Sequence, residues 1–156
     1  MGADVPKVLL RLSDPSASFS IIQRTVRVFT ADPSCLRVVV CVPAAWEDAF
    51  SSELGPNQKI TLVHGGATRQ ESVRRGVEAL SEVVRAQGGD EATECVLVHD
   101  AARCCITGEV VARVVEGVAR HGAVTAAIPV PDSLCKVSQG TISSFVDRED
   151  VWAVQT

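Results

Sequence analysis

No run in this chain stays apolar for the ~20 residues a membrane-crossing helix needs, and the start carries no charged leader followed by an apolar stretch. Neither a membrane span nor secretion is expected, and the location read from the sequence is cytoplasmic. There is no surplus of positive charge either. Fifteen Lys and Arg stand against 19 Asp and Glu, a formal net charge of -4, which argues against nucleic acid or an anionic membrane as partner. A local basic cluster remains free to bind a small phosphate. The six cysteines (Cys35, Cys41, Cys95, Cys104, Cys105, Cys135) include no C-x-x-C spacing, so zinc and dithiol motifs are absent and the thiols are read as reduced. Cys35, Cys41 and Cys95 lie in or beside apolar strand-like runs, where a thiol packs as a small hydrophobe. Cys104 and Cys105, next to Arg103, leave two readings open: inert packed thiols or a reactive pair. Repeats and low-complexity tracts are also lacking. What is present is 156 residues with 46% hydrophobic and 22% charged content, enough for one domain with a real core.

Apolar periodicity alternates between the helical and the strand period, the pattern of an α/β fold with a mostly parallel sheet and flanking helices. After Ser20, the residues Ile21, Ile22, Val26 and Phe29 have helical spacing. Leu36 to Val42 reads as a buried strand stopped by Pro43, followed by a helix from about Ala44. Ile60 to His64 is the next strand. Gly65-Gly66 then turns the chain into a helix carrying Val73, Val77, Leu80 and Val84 on one face, closed by Gly88-Gly89-Asp90. Cys95 to His99 is expected as a strand and is followed by a helix with Val110, Val111, Val114, Val115 and Val118, capped by Gly122. Ala123 to Pro129 is expected as a further strand. Beyond it, Leu134 to Val137 and Ile142 to Val146 read as a protruding β-arm over about 131–147. Such an arm is half buried on one subunit, so a homodimer is expected.

Four places carry candidate chemistry. The run 96–103, Val-Leu-Val-His-Asp-Ala-Ala-Arg, puts Asp100 and Arg103 at a strand exit, where open α/β sheets bind ligands. It fits an ordinary exit with a solvated ion pair equally well. In Gly65-Gly66-Ala67-Thr68-Arg69-Gln70-Glu71-Ser72 the amides at a helix N-terminus suit anions or carbonyl oxygens, although a tight turn with Thr68 as cap also explains it. Ser72 is expected on the same sheet edge as Asp100. Lys7, after Pro6, suits a phosphate as a point charge, and Arg148, after Asp147, suits one as a bidentate clamp. Ser133 offers a hydroxyl. Each of these three, alone, reads as surface or turn.

Taken in order, Pro6-Lys7, Gly65-Gly66-x-x-Arg69-Gln70-x-Ser72-Val73, His99-Asp100-Ala101-Ala102-Arg103, Pro129-Val130-x-Asp132-Ser133 and Asp147-Arg148-x-x-x-Trp152-x-x-Gln155-Thr156 resemble the 2-C-methyl-D-erythritol 4-phosphate cytidylyltransferase family over essentially the whole chain. The resemblance implies a Rossmann-like nucleotidyltransferase that joins CTP and methylerythritol phosphate with Mg²⁺ and releases pyrophosphate. It implies nucleotide contacts from Gly65, Gly66, Arg69, Ser72, Asp100 and Ala101, with Gly66 and Ser72 on the cytosine. Asp100 would lie by the ribose and the metal-bound phosphates. Lys7 and Arg148 take catalytic roles, and Asp100, Arg103, Ser133 and Arg148 hold the polyol phosphate, Ser133 and Arg148 reaching across from a second copy.

The sequence departs from that family in places. The family has a first strand, a glycine-rich loop and an arginine before the residues matching Met1-Gly2, and a Pro-Gln continuation with later strands and a lysine after Gln155-Thr156. The chain is therefore expected to be a fragment, weakly active or inactive and incompletely folded. Cys104 stands where proline is usual, and the lysine expected soon after Asp132-Ser133 comes at Lys136, displaced by Cys135. Two rival readings are a ribitol 5-phosphate cytidylyltransferase and a non-catalytic module of the same fold.

Overall fold

The computed structural model describes residues 5–12 and 18–155. The first four residues of the stretch around Lys7, and Thr156 of the last motif, lie outside them. The chain divides into two compact units, Met1–Arg113 and Val114–Thr156, with the division inside one helix.

The first unit opens with a 3-10 turn, Lys7–Leu9, followed by helix α1, Ile21–Thr30. The start of α1 is set locally. Ser20 Oγ accepts the Gln23 amide and Gln23 Oε1 accepts the Ser20 amide at 3.0 Å, a capping box that satisfies two helix-end donors at once. Ile21, Ile22, Thr25 and Val26 then fall on one face and are buried. Strand β1, Val38–Val42, pairs in parallel with β2, Ile60–His64, in the register Val38 to Ile60 through Val42 to His64. Between them a 3-10 turn, Ala44–Trp46, runs into α2, Glu47–Leu54. Helix α3, Arg69–Ala86, follows β2, and Gly88 at φ +71° ends that segment in a left-handed turn that favours glycine.

The pair β1–β2 is covered on both faces, which explains why Val-Val-Val-Cys-Val is apolar throughout instead of alternating. Val40 and Val42 point to a core shared with Ile22, Val26 and Phe50, from α1 and α2. On the other face, Gly76 of α3 sits so close to Cys41 that a Cβ there would lie 3.1 Å from Sγ. Cys41 Sγ donates to the Ser72 carbonyl at 3.1 Å, and burial pushes this thiol's pKa up. Cys41 is thus a packed thiol rather than a reactive one.

The strand expected from Leu36 begins at Val38, with Leu36 exposed, and two other expected strands differ more. Cys95–His99 forms no strand: after a 3-10 turn, Glu91–Thr93, the segment runs without a ladder, and Val96 and Val98 are each 44% exposed. Its β-branched composition supplies strand propensity, but a strand exists only where a neighbour offers matching donors and acceptors. Of Ala123–Pro129 only Ala127–Pro129 is a strand, β3, and its partner Trp152–Val154 (β6) runs antiparallel. The mostly parallel sheet is therefore represented among the described residues by one parallel pair beside two antiparallel pairs.

In the second unit, helix α4 (Gly108–His121, begun in the first unit) ends where the Gly122 amide donates to Val118 O at 2.8 Å. Gly122 has φ +78°. The segment read as an arm is an antiparallel hairpin of β4, Leu134–Ser138, and β5, Thr141–Val146. Gln139 and Gly140 at the tip both have positive φ, which matches the twist of a tight hairpin. Val137, Ile142 and Phe145 on the hairpin are largely exposed.

Candidate active site

The loop 100–105 is built on α1. Asp100 O accepts the Arg103 amide at 2.9 Å, closing a turn in which Ala101 and Ala102 are the central residues. Thr25 Oγ1 lies 2.8 Å from Ala101 O, Arg24 Nε donates to Cys104 O at 3.0 Å, and His99 Nε2 donates to Arg103 O at 3.2 Å. The His99 ring packs against Phe29, with centroids 5.3 Å apart. Reading the sequence missed Thr25 and Arg24. Thr25 Oγ1 also lies 2.9 Å from Ile21 O of its own helix, so the buried hydroxyl has a local partner and the sequence carried no signal for its contact with Ala101.

Asp100 joins the two motif blocks. Its Oδ1 is 3.0 Å from Arg69 NH2 and its Oδ2 is 3.4 Å from Arg103 Nε, with the carboxylate side chain 40% exposed. The short spacing from Asp100 to Arg103 was legible as an ion pair. The bond to Arg69, 31 residues away, was not. The hydrogen bond from Arg69 is the main reason the Asp100 carboxyl is held below its ordinary pKa; partial desolvation opposes it and Arg103 adds to it.

The strand exit from β2 into α3 is gripped from within. Thr68 Oγ1 accepts the Glu71 amide at 3.1 Å, as the helix-cap reading expected. The Gly66 amide donates to Ser72 Oγ at 2.9 Å, and the Ala67 amide donates to Glu71 Oε2 at 2.9 Å. The expectation that these amides point outward to an anion or a carbonyl oxygen is corrected for Gly66 and Ala67: both are taken by side chains of the first helical turn, which reach back past the N-cap Thr68. The glycines serve that close approach. A Cβ on Gly66 would collide with Glu71 Cγ and Cδ, and one on Gly65 would lie 3.1 Å from Ser72 Oγ.

Gly65, Gly66, Arg69, Ser72, Asp100, Ala101 and Arg103 thus belong to one unit, where Arg69 ties the Gly65–Ser72 segment to Asp100. Lys7 is exposed on its 3-10 turn, while Val8 and Leu9 of that turn pack against the core. Ser133 and Arg148 belong to the second unit. There Ser133 is exposed, and Arg148 NH1 donates to Pro131 O at 2.6 Å across the base of the hairpin. Among the described residues no group of three or more His, Cys, Asp or Glu is placed to hold a metal, and no helix is long and apolar enough to cross a membrane.

A pH titration should register the Asp100 and Glu71 contacts. The Ala67 amide, then Arg75, lowers the Glu71 pKa, and Arg69 lowers that of Asp100. A depressed folded pKa means that the stabilisation is complete above the unfolded value, about 4, and fades as pH falls through the lower folded value. Carboxyl carbon shifts followed by NMR should therefore show both midpoints below those of model peptides. Midpoints at or above the peptide values would show that these contacts are not formed in solution.

Comparison with known proteins places these motifs in context. A model of the family described as 2-C-methyl-D-erythritol 4-phosphate cytidylyltransferase matches residues 1–156. A 2-C-methyl-D-erythritol 4-phosphate cytidylyltransferase of Neisseria gonorrhoeae (strain ATCC 700825 / FA 1090) is 37% identical over 161 residues, covering 99% of this chain and 65% of the relative. A bifunctional enzyme IspD/IspF of Desulfotalea psychrophila is 34% identical over 142 residues, covering 90% of this chain and 34% of the relative. The chain thus spans about a third to just under two thirds of the length of these relatives. Among solved structures, the cytidylyltransferase of that name from Thermus thermophilus superposes with a TM-score of 0.67 at 30% identity, over 97% of this chain and 63% of that one. The Francisella tularensis protein superposes with a TM-score of 0.78 at 24% identity, over 98% of this chain and 64% of that one, a likeness of fold.

Proposed function

The chain belongs to the 2-C-methyl-D-erythritol 4-phosphate cytidylyltransferase family, and on that premise we propose that its protein joins CTP to 2-C-methyl-D-erythritol 4-phosphate, forming 4-diphosphocytidyl-2-C-methyl-D-erythritol and pyrophosphate. A phosphate oxygen of the polyol phosphate attacks the α-phosphorus of CTP, and the bond to the β,γ-pyrophosphate breaks. Two anions must meet, so the demand on the protein is for cations and fixed hydrogen bonds rather than a covalent nucleophile. The observation that carries the reading is the Arg69–Asp100–Arg103 bridge, which brings cations from two distant motif blocks to one carboxylate.

In this reading Gly65, Gly66, Arg69, Ser72, Asp100 and Ala101 hold the nucleotide. The internal use of the Gly66 and Ala67 amides argues against a phosphate cradle at that loop, because a cradle needs those donors unengaged. Lys7 neutralises charge that develops on the α-phosphate. Asp100, Arg103, Ser133 and Arg148 hold the polyol phosphate, and an arginine suits it because the guanidinium fork matches phosphate oxygens. Asp100 would hold Mg²⁺ by exchanging one of its guanidinium contacts, the longer one to Arg103, for the ion, which characteristically takes one or two carboxylates together with substrate phosphates. When bound it would offset the charge of the triphosphate.

The finer architecture belongs to the same proposal: one Rossmann-like nucleotidyltransferase domain with a mostly parallel sheet, and the β4–β5 hairpin as an arm that pairs two copies. Apolar Val137, Ile142 and Phe145, exposed on the hairpin, support the arm, as contiguous exposed apolar surface marks interaction sites. Ser133 and Arg148 then act across the pair. The whole reading is tested by incubating the full protein with CTP, Mg²⁺ and 2-C-methyl-D-erythritol 4-phosphate and measuring pyrophosphate release and product mass. Release with that polyol phosphate is expected. No release with it, or a clear preference for ribitol 5-phosphate, overturns the assignment.

A further inference from the structure

Three side chains from the first turns of α3 hold the last residue of β2 and the three residues of the loop that follow it. Ser72 takes the Gly66 amide, and Glu71 Oε2 takes the Ala67 amide. Arg75 NH1 donates to Gly65 O at 3.0 Å and reaches His64 O at 3.4 Å, while its NH2 donates to Glu71 Oε1 at 2.5 Å. Ser72 belongs to the recognised motif, whereas Glu71 and Arg75 are assigned nothing by it. Their arrangement closes a ring: the Arg75 guanidinium ties the loop's carbonyls to the Glu71 carboxylate, and that carboxylate ties back to the loop's amide. The neighbouring pair Arg74–Glu78 is also four residues apart on α3 but lies farther out in solvent, its side chains 61% and 55% exposed against 40% and 31% for Arg75 and Glu71. An exposed i,i+4 pair by itself contributes little. A pair whose two members also fix a loop's backbone restricts that loop's geometry, which is what a binding loop needs before its ligand arrives.

We infer that Glu71 and Arg75 are positioning residues for nucleotide binding: they hold His64–Ala67 in its ligand-ready shape without touching the ligand themselves. This rests on the nucleotide reading above, and the test separates the two. In the full protein without nucleotide, NMR hydrogen exchange of the Ala67 amide is compared among the unsubstituted chain, Glu71→Ala, Glu71→Gln, Arg75→Met and the solvent-exposed control Glu78→Ala. CTP binding is then measured by calorimetry on the same set. Glu71→Ala and Arg75→Met should raise Ala67 exchange and weaken CTP binding by about tenfold, the loss of a charge-assisted hydrogen bond. Glu71→Gln, which keeps a carbonyl oxygen for the amide, should restore much of the protection, and Glu78→Ala should leave both readouts unchanged. Where turnover is measurable, KM for CTP should rise while kcat changes little.

Unchanged exchange at Ala67 in both Glu71→Ala and Arg75→Met overturns the inference, whatever happens to CTP. So does raised exchange with unaltered CTP affinity, since the loop's shape would then not matter to binding. Should the unsubstituted protein bind no CTP while exchange responds as expected, the nucleotide reading falls and Glu71 and Arg75 remain positioning residues of the loop alone.

Discussion

Replacing Asp100 with asparagine is expected to lower kcat/KM by about a hundredfold or more while leaving the melting temperature nearly unchanged. Asparagine keeps the shape and one carbonyl acceptor but removes the charge that faces Arg69 at 3.0 Å and Arg103 at 3.4 Å. Two guanidiniums would then face a neutral group and repel one another, and each is expected to swing toward solvent, away from the place where phosphates are to be held. The cost to folding is small because the side chains are substantially exposed, and pairs of that kind contribute about 0–1 kcal/mol. The contrast is the content of the prediction. If the ion pairs were an ordinary solvated strand exit, Asp100→Asn would spare both activity and stability. If they were chiefly structural, both would fall together. Steady-state kinetics on the full protein, alongside thermal denaturation, distinguishes the three outcomes.

The second large effect is on stability. Phe50→Ala should destabilise the chain by about 3–5 kcal/mol, the usual range for truncating a buried phenylalanine. Phe50 is 3% exposed and lies on α2 in a cluster with Ile22 and Val26 of α1 and Val40 and Val42 of β1. Among the described residues Phe50 is the one fully buried side chain that α2 adds to that cluster, with Leu54 packed against its edge, so the truncation removes most of that helix's part in it. A cavity would remain, because β1 and α1 are held by their own ladder and capping bonds and cannot collapse fully into the space. Glu82→Ala, on an exposed position of α3, should stay within about 0.5 kcal/mol. Denaturant titration of both variants checks this, and a Phe50→Ala loss below about 1 kcal/mol would mean that the cluster is not the core of the unit.

How far the sequence could be read depended on how local each cause was. The helix after Ser20 was legible from the spacing of Ile21, Ile22, Val26 and Phe29, and the Ser20–Gln23 box that sets its start emerged with the structure. Val73, Val77, Leu80 and Val84 announce α3 by spacing alone, and Thr68 caps it as expected. The hairpin of β4 and β5 was legible from two short apolar pieces around Gly140, since its partner strand is its sequence neighbour. Cys95–His99 shows the opposite case. Its composition is that of a strand, yet no ladder forms, because pairing depends on what lies beside it rather than on its own side chains.

The candidate site divides in the same way. Asp100 with Arg103 could be read from a spacing of three, and Gly65-Gly66 from the turn it makes. The use of those glycines could not. They admit Glu71 and Ser72 close to the loop, and those side chains occupy the Gly66 and Ala67 amides.

From its residues alone this chain determined an α/β core, the presence of its helices and the motif blocks that identify its family, because periodicity, caps and turns act over a few residues. Only the tertiary structure decided that Arg69 meets Asp100, that Thr25 of α1 carries the Ala101 carbonyl, and that the β2–α3 loop is held from inside. Asp100–Arg69 and Thr25–Ala101 join residues 31 and 76 positions apart. Glu71 on Ala67 lies only four positions away, but it requires the chain to fold back at the helix start, and neither kind of contact is encoded in the spacing of any single segment.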